Sequence, residues 1–262
     1  MIYITYALVI FFANVIGAIA GMGGGVIIKP ILDVIGAHPL IQINFFSSVA
    51  VFTMAITSTY KQINLGIHLK KKFVFIISFG AIIGGLLGNT TFNWLEQVIA
   101  NDHIINQIQV ILTILTLLFA LGYSIAPYWH FRITNLLLLM LIGMFLGWIS
   151  TLLGIGGGPI NVALLMLCCS FPIKEATVYS IITILFSQFS KILAVIFSGM
   201  IWSFDLKTLL FIVPAAAIGG IIGAKYSHVV DAQKVELVYR MAILLVISIN
   251  LFNSYQVVMG IS

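Results

Sequence analysis

The sequence predicts an all-α polytopic membrane protein made of two internal repeats of four spans, each interrupted by a glycine-rich break and a short half-helix. Three observations carry this. Of 262 residues, 61% are hydrophobic and only 7% are charged, whereas a soluble domain carries about 25% charged residues; the mean hydropathy is +1.19. Eight uncharged or nearly uncharged stretches reach the roughly 20 residues that a helix needs to cross the hydrocarbon. A glycine knot, GMGGG at 21–25, recurs as GIGGG at 154–158.

The elements follow in order. The first span is Ile2–Ala20. Its opening, MIYITYALVIFF, has no basic n-region and no small-residue cleavage site, so it reads as a span and not as a signal peptide. After the first knot comes Val26–Gly36, too short to span, which stops before the turn HPL at 38–40. Ile41–Tyr60, Phe73–Leu95 and Ile104–Ala126 complete the first unit, residues 1–130. The second unit, residues 131–262, opens with Ile133–Leu153, the second knot and the short piece Pro159–Ser170, which stops before FPI at 171–173. Ala176–Gly199, Thr208–Ala224 and Leu237–Met259 follow. No polar terminal segment is long enough for a second domain.

The halves correspond at an offset of 133 residues. Gly21, Gly23, Gly24 and Gly25 fall on Gly154, Gly156, Gly157 and Gly158; Pro39 falls on Pro172, Ser47 on Ser180 and Gly66 on Gly199. After a slip of two, AIIGGLLG at 81–88 matches AAIGGIIG at 216–223. An ordered series of this kind reads as a duplication.

Non-helical backbone leaves polar groups unpaired and is tolerated in a membrane only where protein buries it or where it lines a wet cavity. Pro159, directly behind the second knot, suits the first turn of a helix. Each short piece therefore reads as a half-helix whose N-terminus offers free N–H groups and partial positive charge, which suits an anion. Paired interrupted segments in two repeats point to a transporter's central site. The bland alternative, close helix packing through small residues, fits AIIGGLLG and AAIGGIIG, where one Gly→Ala change is expected to be tolerated better than at the knots. No GK[ST] follows either knot, so a soluble phosphate loop is excluded.

Polar residues inside spans extend the candidate site. Thr177, Ser180, Thr183 or Ile184, Ser187 and Lys191 recur at steps of three and four and share one helical face, flanked by Gln188. Lys191 either serves function, as ionisable residues inside spans usually do, or snorkels to the interface near Gly199. Lys29, one turn into the first short piece, either supports the half-helix N-terminus or reaches headgroups. Asn161 either caps local backbone or contacts a ligand. Asn44 and Ser47 match Thr177 and Ser180, and give the second span a weaker polar face. The candidate substrate-binding set is Gly23, Gly24, Gly25, Lys29, Asn44, Ser47, Gly156, Gly157, Gly158, Asn161, Ser180, Gln188 and Lys191.

Other classes fare badly. The net charge of +5 comes from Lys and Arg between apolar spans, which marks cytoplasmic loops and not a nucleic-acid surface. Asp33, Glu96, Asp102, Glu175, Asp205, Asp231 and Glu236 are the only acids and read as solvated loop residues, so the carboxylate relay of a cation pump is missing. His38 and His68 read as interface residues. The adjacent Cys168 and Cys169 read as apolar packing. No HExxH, GxSxG or metal-ligand spacing occurs, so no enzyme, cofactor or metal is expected. The expected partners are a small anion and the lipid bilayer of the cell (inner) membrane, with a homo-oligomer left open.

GMGGGVIIKPIL, and GIGGGPINVALL followed by KEATVYS, resemble the duplicated signatures of the TauE/SafE family, permeases proposed to move sulfite, sulfonates and related organic anions. The resemblance covers nearly the whole chain. Lys29, where an apolar residue is expected, and Ala163, where proline is frequent, depart from it. It implies a secondary transporter of a sulfur-containing anion; the residues themselves imply only an anion. Without a nucleotide-binding domain, gradients must drive it. A passive anion channel is the close alternative, and a non-transporting scaffold or enzyme subunit the distant one.

For orientation, Lys61 and Lys70–Lys72 place their loop in the cytoplasm. Four crossings per unit then give parallel repeats with both termini cytoplasmic, at the cost of leaving Lys225 and Lys234 outside. If the short pieces add a pass, the repeats are inverted.

Overall fold

In the computed structural model residues 2–67, 69–127 and 129–258 are described, and among them all regular structure is helical. His68 and Met259, both assigned above from sequence, lie outside the described residues. The helices are α1 (Ile2–Ala20), α2 (Gly25–Ile35), α3 (Leu40–Asn64), α4 (Lys71–Ile99), α5 (Asp102–Ile125), α6 (Leu136–Leu152), α7 (Gly158–Cys169), α8 (Ile173–Phe197), α9 (Leu209–Val229) and α10 (Ala232–Val258). The protein is a multi-pass membrane protein: seven of these helices are long and apolar enough to cross a bilayer.

One expected span is shorter than its sequence suggests. Ile133–Leu153 becomes the 17-residue α6, because the segment before it leaves the helix and pairs with α7. Phe131 N donates to Leu167 O at 2.7 Å and Ile133 N to Cys168 O at 3.0 Å. The Asn135 side chain then accepts from the N–H groups of Leu137 and Leu138 and starts the helix. Asn101 caps α5 in the same way, through His103 N and Ile104 N.

The direction of the chain corrects the topology expected above. α2 folds back along α1: Tyr6, near the start of α1, is joined to His38, just beyond α2, by a 3.0 Å hydrogen bond. α3 therefore starts at the end of the bundle where α1 starts. Tyr3 donates to Asp205, between α8 and α9, at 3.0 Å, so that loop lies at the same end. α7 likewise returns to the start of α6, where Ser170 Oγ donates to Phe131 O at 3.0 Å. Each half thus has three long helices (α3–α5 and α8–α10) behind a hairpin (α1–α2 and α6–α7), and the hairpins enter from opposite ends. The short pieces add the return pass that parallel repeats excluded. One consequence is electrostatic. Lys61, Lys70, Lys71, Lys72, Arg132, Lys174, Lys225, Lys234 and Arg240, out of twelve Lys and Arg, gather at the end opposite the N-terminus, hereafter the basic end. The far end, with the N-terminus, keeps Lys207.

Packing repeats across the halves. α4 lies on α6 as α9 lies on α1; α4 packs on α8 as α9 packs on α3; α5 meets α7 as α10 meets α2. The closest crossings run over glycine. On α4, a Cβ at Gly80, Gly84 or Gly88 would strike the carbonyl of Met140, Met144 or Trp148 on α6. On α9, Gly219 and Gly223 meet the Phe11 and Val15 carbonyls of α1. AIIGGLLG and AAIGGIIG are packing motifs, as expected, but the tolerance expected of them is wrong: the obstacle to Gly84→Ala is backbone, which cannot step aside as a side chain would.

The outside is apolar and the inside carries the polar groups. Phe75, Leu137, Leu210 and Phe197 are exposed, while Asn14, Asn161, Ser180, Thr183 and Gln188 are fully buried. Exposed Tyr60 and Trp129 lie near the basic end, and Trp94 and Trp202 near the far end, the places where aromatic residues sit at a bilayer interface.

Candidate functional site

The glycine knots meet inside the bundle. α1 ends at Ala20 and α2 begins at Gly25; α6 ends at Leu152 and α7 begins at Gly158. Gly21 (φ 70°) and Gly154 (φ 69°) make the turns in the left-handed region that glycine enters freely. Each tip rests on the long helix of the opposite half. A Cβ at Gly21 would overlap Thr177 of α8, and one at Gly154 would overlap the Asn44 side chain of α3. Ser180 fastens the first tip by donating to Gly21 O at 2.6 Å.

Deeper in, the knots touch. A Cβ at Gly23 would lie 3.3 Å from Gly156 O, Val51 and Ile184. One at Gly25 would strike Ile155 O, and one at Gly158 would come within 2.6 Å of Val26. Gly24 packs on Asn14 and Gly157 on Asn161. Gly23, Gly24, Gly25, Gly156, Gly157 and Gly158 are thus brought together, with their own backbone filling the gap between them. Neither half-helix has a side-chain cap at its N-cap residue, Gly24 or Gly157, so first-turn N–H groups of both remain for a ligand.

Buried side chains surround the contact with spare hydrogen-bonding capacity. Both amide atoms of Asn14, Asn44 and Asn161 have no hydrogen-bond partner among the described residues, nor do Ser47 Oγ, Thr151 Oγ1 and Gln188 Oε1. Gln188 Nε2 donates to Ser150 Oγ at 3.2 Å. Orphan polar groups of this kind are costly in a finished interior, and each invites an explanation by ligand or water. Asn14, Ser150 and Thr151 were missed by the sequence reading; the lone amide in FFANVIG was the available signal.

The two lysines separate. Lys191 is buried, with Nζ 3.4 Å from Asn44 O and no acidic partner among the described residues. It faces a pocket at the far end lined by Asn44, Asn89, Asn93, Ser198 and Phe204, with a volume of about 20 Å³, room for about one water. Lys29 instead points away from the knots. Its Nζ donates to Asp33 Oδ2 at 2.9 Å and to Asn106 Oδ1 of α5 at 2.9 Å, and both members of the ion pair are buried. Asp33 is therefore not the solvated loop acid expected from its position near a span end. Its i,i+4 spacing from Lys29 is the signal that was overlooked.

At the basic end a second cavity, of about 270 Å³, opens between α3, α8 and α9, lined by Gln62, Lys174, Glu175, Tyr179, Ser227 and His228. It is more than tenfold larger than the Lys191 pocket.

Neither a curated protein nor a solved structure matches the chain. The family model described as Sulfite exporter TauE/SafE matches residues 6–251 of 262, a span that includes every candidate residue, all of α2 to α9 and most of α1 and α10, and the chain belongs to that family of membrane transporters.

Proposed function

We propose that this protein is a secondary transporter of small sulfur-containing anions, sulfite or sulfonates, across the cell membrane. The observation that carries the reading is the pair of uncapped half-helix N-termini, brought together in the interior beside unpartnered Asn161 and Asn14, with Lys191 as a buried cation lacking an acid. Partial positive charge from two helix ends, N–H groups and amides would replace the water of a desolvated oxoanion, and Lys191 would draw it from the far end. The candidate residues other than Lys29 and Ser180 fit this set; Lys29 is engaged by Asp33, and the Ser180 hydroxyl by Gly21 O.

The reading includes a duplication with inverted repeats, supported by the reciprocal packing of the halves. It also includes an orientation. Nine cations at one end make that end cytoplasmic by the positive-inside rule, and both termini external. The cavity at the basic end is then open to the cytoplasm while the Lys191 pocket is closed, which is one side of an alternating-access cycle.

Reconstituted protein should give saturable flux of sulfite or a sulfonate down an imposed gradient. Flux no greater than in empty liposomes for sulfite, thiosulfate and taurine would remove the transporter reading, and flux linear in concentration would favour a channel. A reporter fused after Ser262 should be active only outside the cell; cytoplasmic activity would reverse the orientation.

A further inference from the structure

Away from the knots, a groove runs down the lipid-facing side of α4 and α6 from the basic end. Its upper part, about 320 Å³, is lined by Lys70, Lys72 and Arg132 over an apolar floor that includes Phe73, Ile76 and Phe171. Its lower part, about 330 Å³, is almost wholly apolar, lined by Phe75, Phe79, Leu137 and Met140. Ile76 and Leu136 line both parts, so the groove is continuous. From Lys72 through Ile76 to Phe79 it descends one turn at a time into the bilayer.

Charge and polarity change along this groove as they do along a phospholipid. Lys72 and Arg132 are exposed and pair with no carboxylate among the described residues. Lys70 is 3.7 Å from Glu175 and lies over the Phe171 ring, 5.2 Å from its centroid. Below them, Phe75, Leu137 and Phe79 expose half or more of their surface, where acyl chains would lie. Cationic pockets between membrane helices on the cytoplasmic side bind anionic head groups. A larger cavity, about 600 Å³, shares Phe75 and Phe79 with the groove and reaches Ile63, Ile67 and Phe186, but Lys71 is the one cation that lines it, and it lacks this convergence.

We infer that the α4–α6 groove is a binding site for an anionic glycerophospholipid of the cytoplasmic leaflet, its phosphate between Lys72 and Arg132 and an acyl chain against Ile76, Phe79 and Leu136. The site is separate from the transport pathway and stands whichever anion is transported. Because α4–α6 is the closest interhelical contact between the halves, a bound lipid would brace it.

Native mass spectrometry of protein extracted from vesicles of phosphatidylcholine containing phosphatidylglycerol would test this. Wild type should retain phosphatidylglycerol in preference to phosphatidylcholine of the same chains. The Lys72→Gln/Arg132→Gln double variant should lose about tenfold or more of that retention, as expected for two juxtamembrane cations. Leu136→Trp, which fills the groove without changing charge, should lose it as well. Lys225→Gln/Lys234→Gln, with the same charge loss at the same end, should retain lipid like wild type. Equal loss in that control would reduce the effect to general surface charge and overturn the site. Displacement of the lipid by inorganic phosphate, or retention undiminished in the Lys72/Arg132 variant, would overturn it too.

Discussion

Gly21 rests on Thr177 of α8, and Gly154 on Asn44 of α3; the partners, like the glycines, lie 133 residues apart in sequence. Around these matched tips the surroundings diverge. Ser180 ties Gly21 down, whereas the hydroxyl of Ser47, its counterpart, has no hydrogen-bond partner among the described residues. Lys191 stands where the other half has Ser58, and Lys29 and Asp33 where the other half has Val162 and Met166. The cavity at the basic end measures about 270 Å³, against about 20 Å³ at the far end. The backbone frame is shared because both tips need glycine in the same tight contacts. The charges are not shared: one half carries Lys191 and the other the Lys29–Asp33 pair. On the proposed reading the comparison separates what holds the hairpins from what handles the anion, and substitutions can test that separation.

The largest effect is expected at the knots. Gly157 has φ 102° and lies against Asn161 and Ile184, so Gly157→Leu adds both backbone strain and a clash. Gly24→Leu, at an ordinary φ of −69°, adds only a clash, with Asn14. Both should bring flux to the level of empty liposomes at matched protein level, while Gly122→Ala, with open space around it, should not. Wild-type flux in Gly157→Leu would detach the knots from transport. Gly84→Ala is expected to fail differently, by loss of folded protein, because it forces α4 and α6 apart.

Next is the buried ion pair in α2. Lys29→Gln leaves the buried Asp33 side chain charged without its ion-pair partner, and breaking a buried pair in this way costs about 3–5 kcal/mol. Lys29→Gln/Asp33→Asn should recover most of that in thermal unfolding. Half-saturation should change little in the double variant, since the pair points away from the knots. If the double variant is as unstable as the single, the pair is not the reason for the loss.

Lys191 should act on affinity. Lys191→Gln is expected to raise half-saturation tenfold or more, which corresponds to about 1.4 kcal/mol, and Lys191→Arg should keep part of the affinity. Unchanged half-saturation in both would mean that the lysine only reaches toward the far interface, and the asymmetry between the vestibules would lose its functional meaning.

Membrane burial was legible in the sequence because it rests on composition and run length, and the helix bounds fall within a few residues of the apolar runs. The knots were legible because consecutive glycines have few other uses inside a span. The direction of the chain was not. A run of 11 residues reads the same whether it continues inward or turns back, and only the contact of Tyr6 with His38 decides it. Lys29 was misassigned because its sequence neighbours include a half-helix start, whereas its partner Asn106 lies 77 residues away. No acid lies within a turn of Lys191 in the sequence, and none is brought to it by the fold among the described residues.

The smallest effect distinguishes the matched serines. Ser180→Ala removes the bond to Gly21 O, a loss of about 0.6–1.5 kcal/mol. It should lower thermal stability slightly and leave half-saturation unaltered, because that hydroxyl is occupied by the frame. Ser47 is fully buried and its hydroxyl bonds nothing among the described residues, so Ser47→Ala has no such bond to break and should leave stability the same or higher. If the hydroxyl is kept free for the anion, half-saturation should rise about fivefold, the equivalent of about 1 kcal/mol of hydrogen bonding. The two alanine variants should therefore move opposite readouts, stability for Ser180 and affinity for Ser47. A fall in stability without change in half-saturation for Ser47→Ala would make it a structural group like its counterpart, and would shift the anion's place toward Asn161 and Gln188.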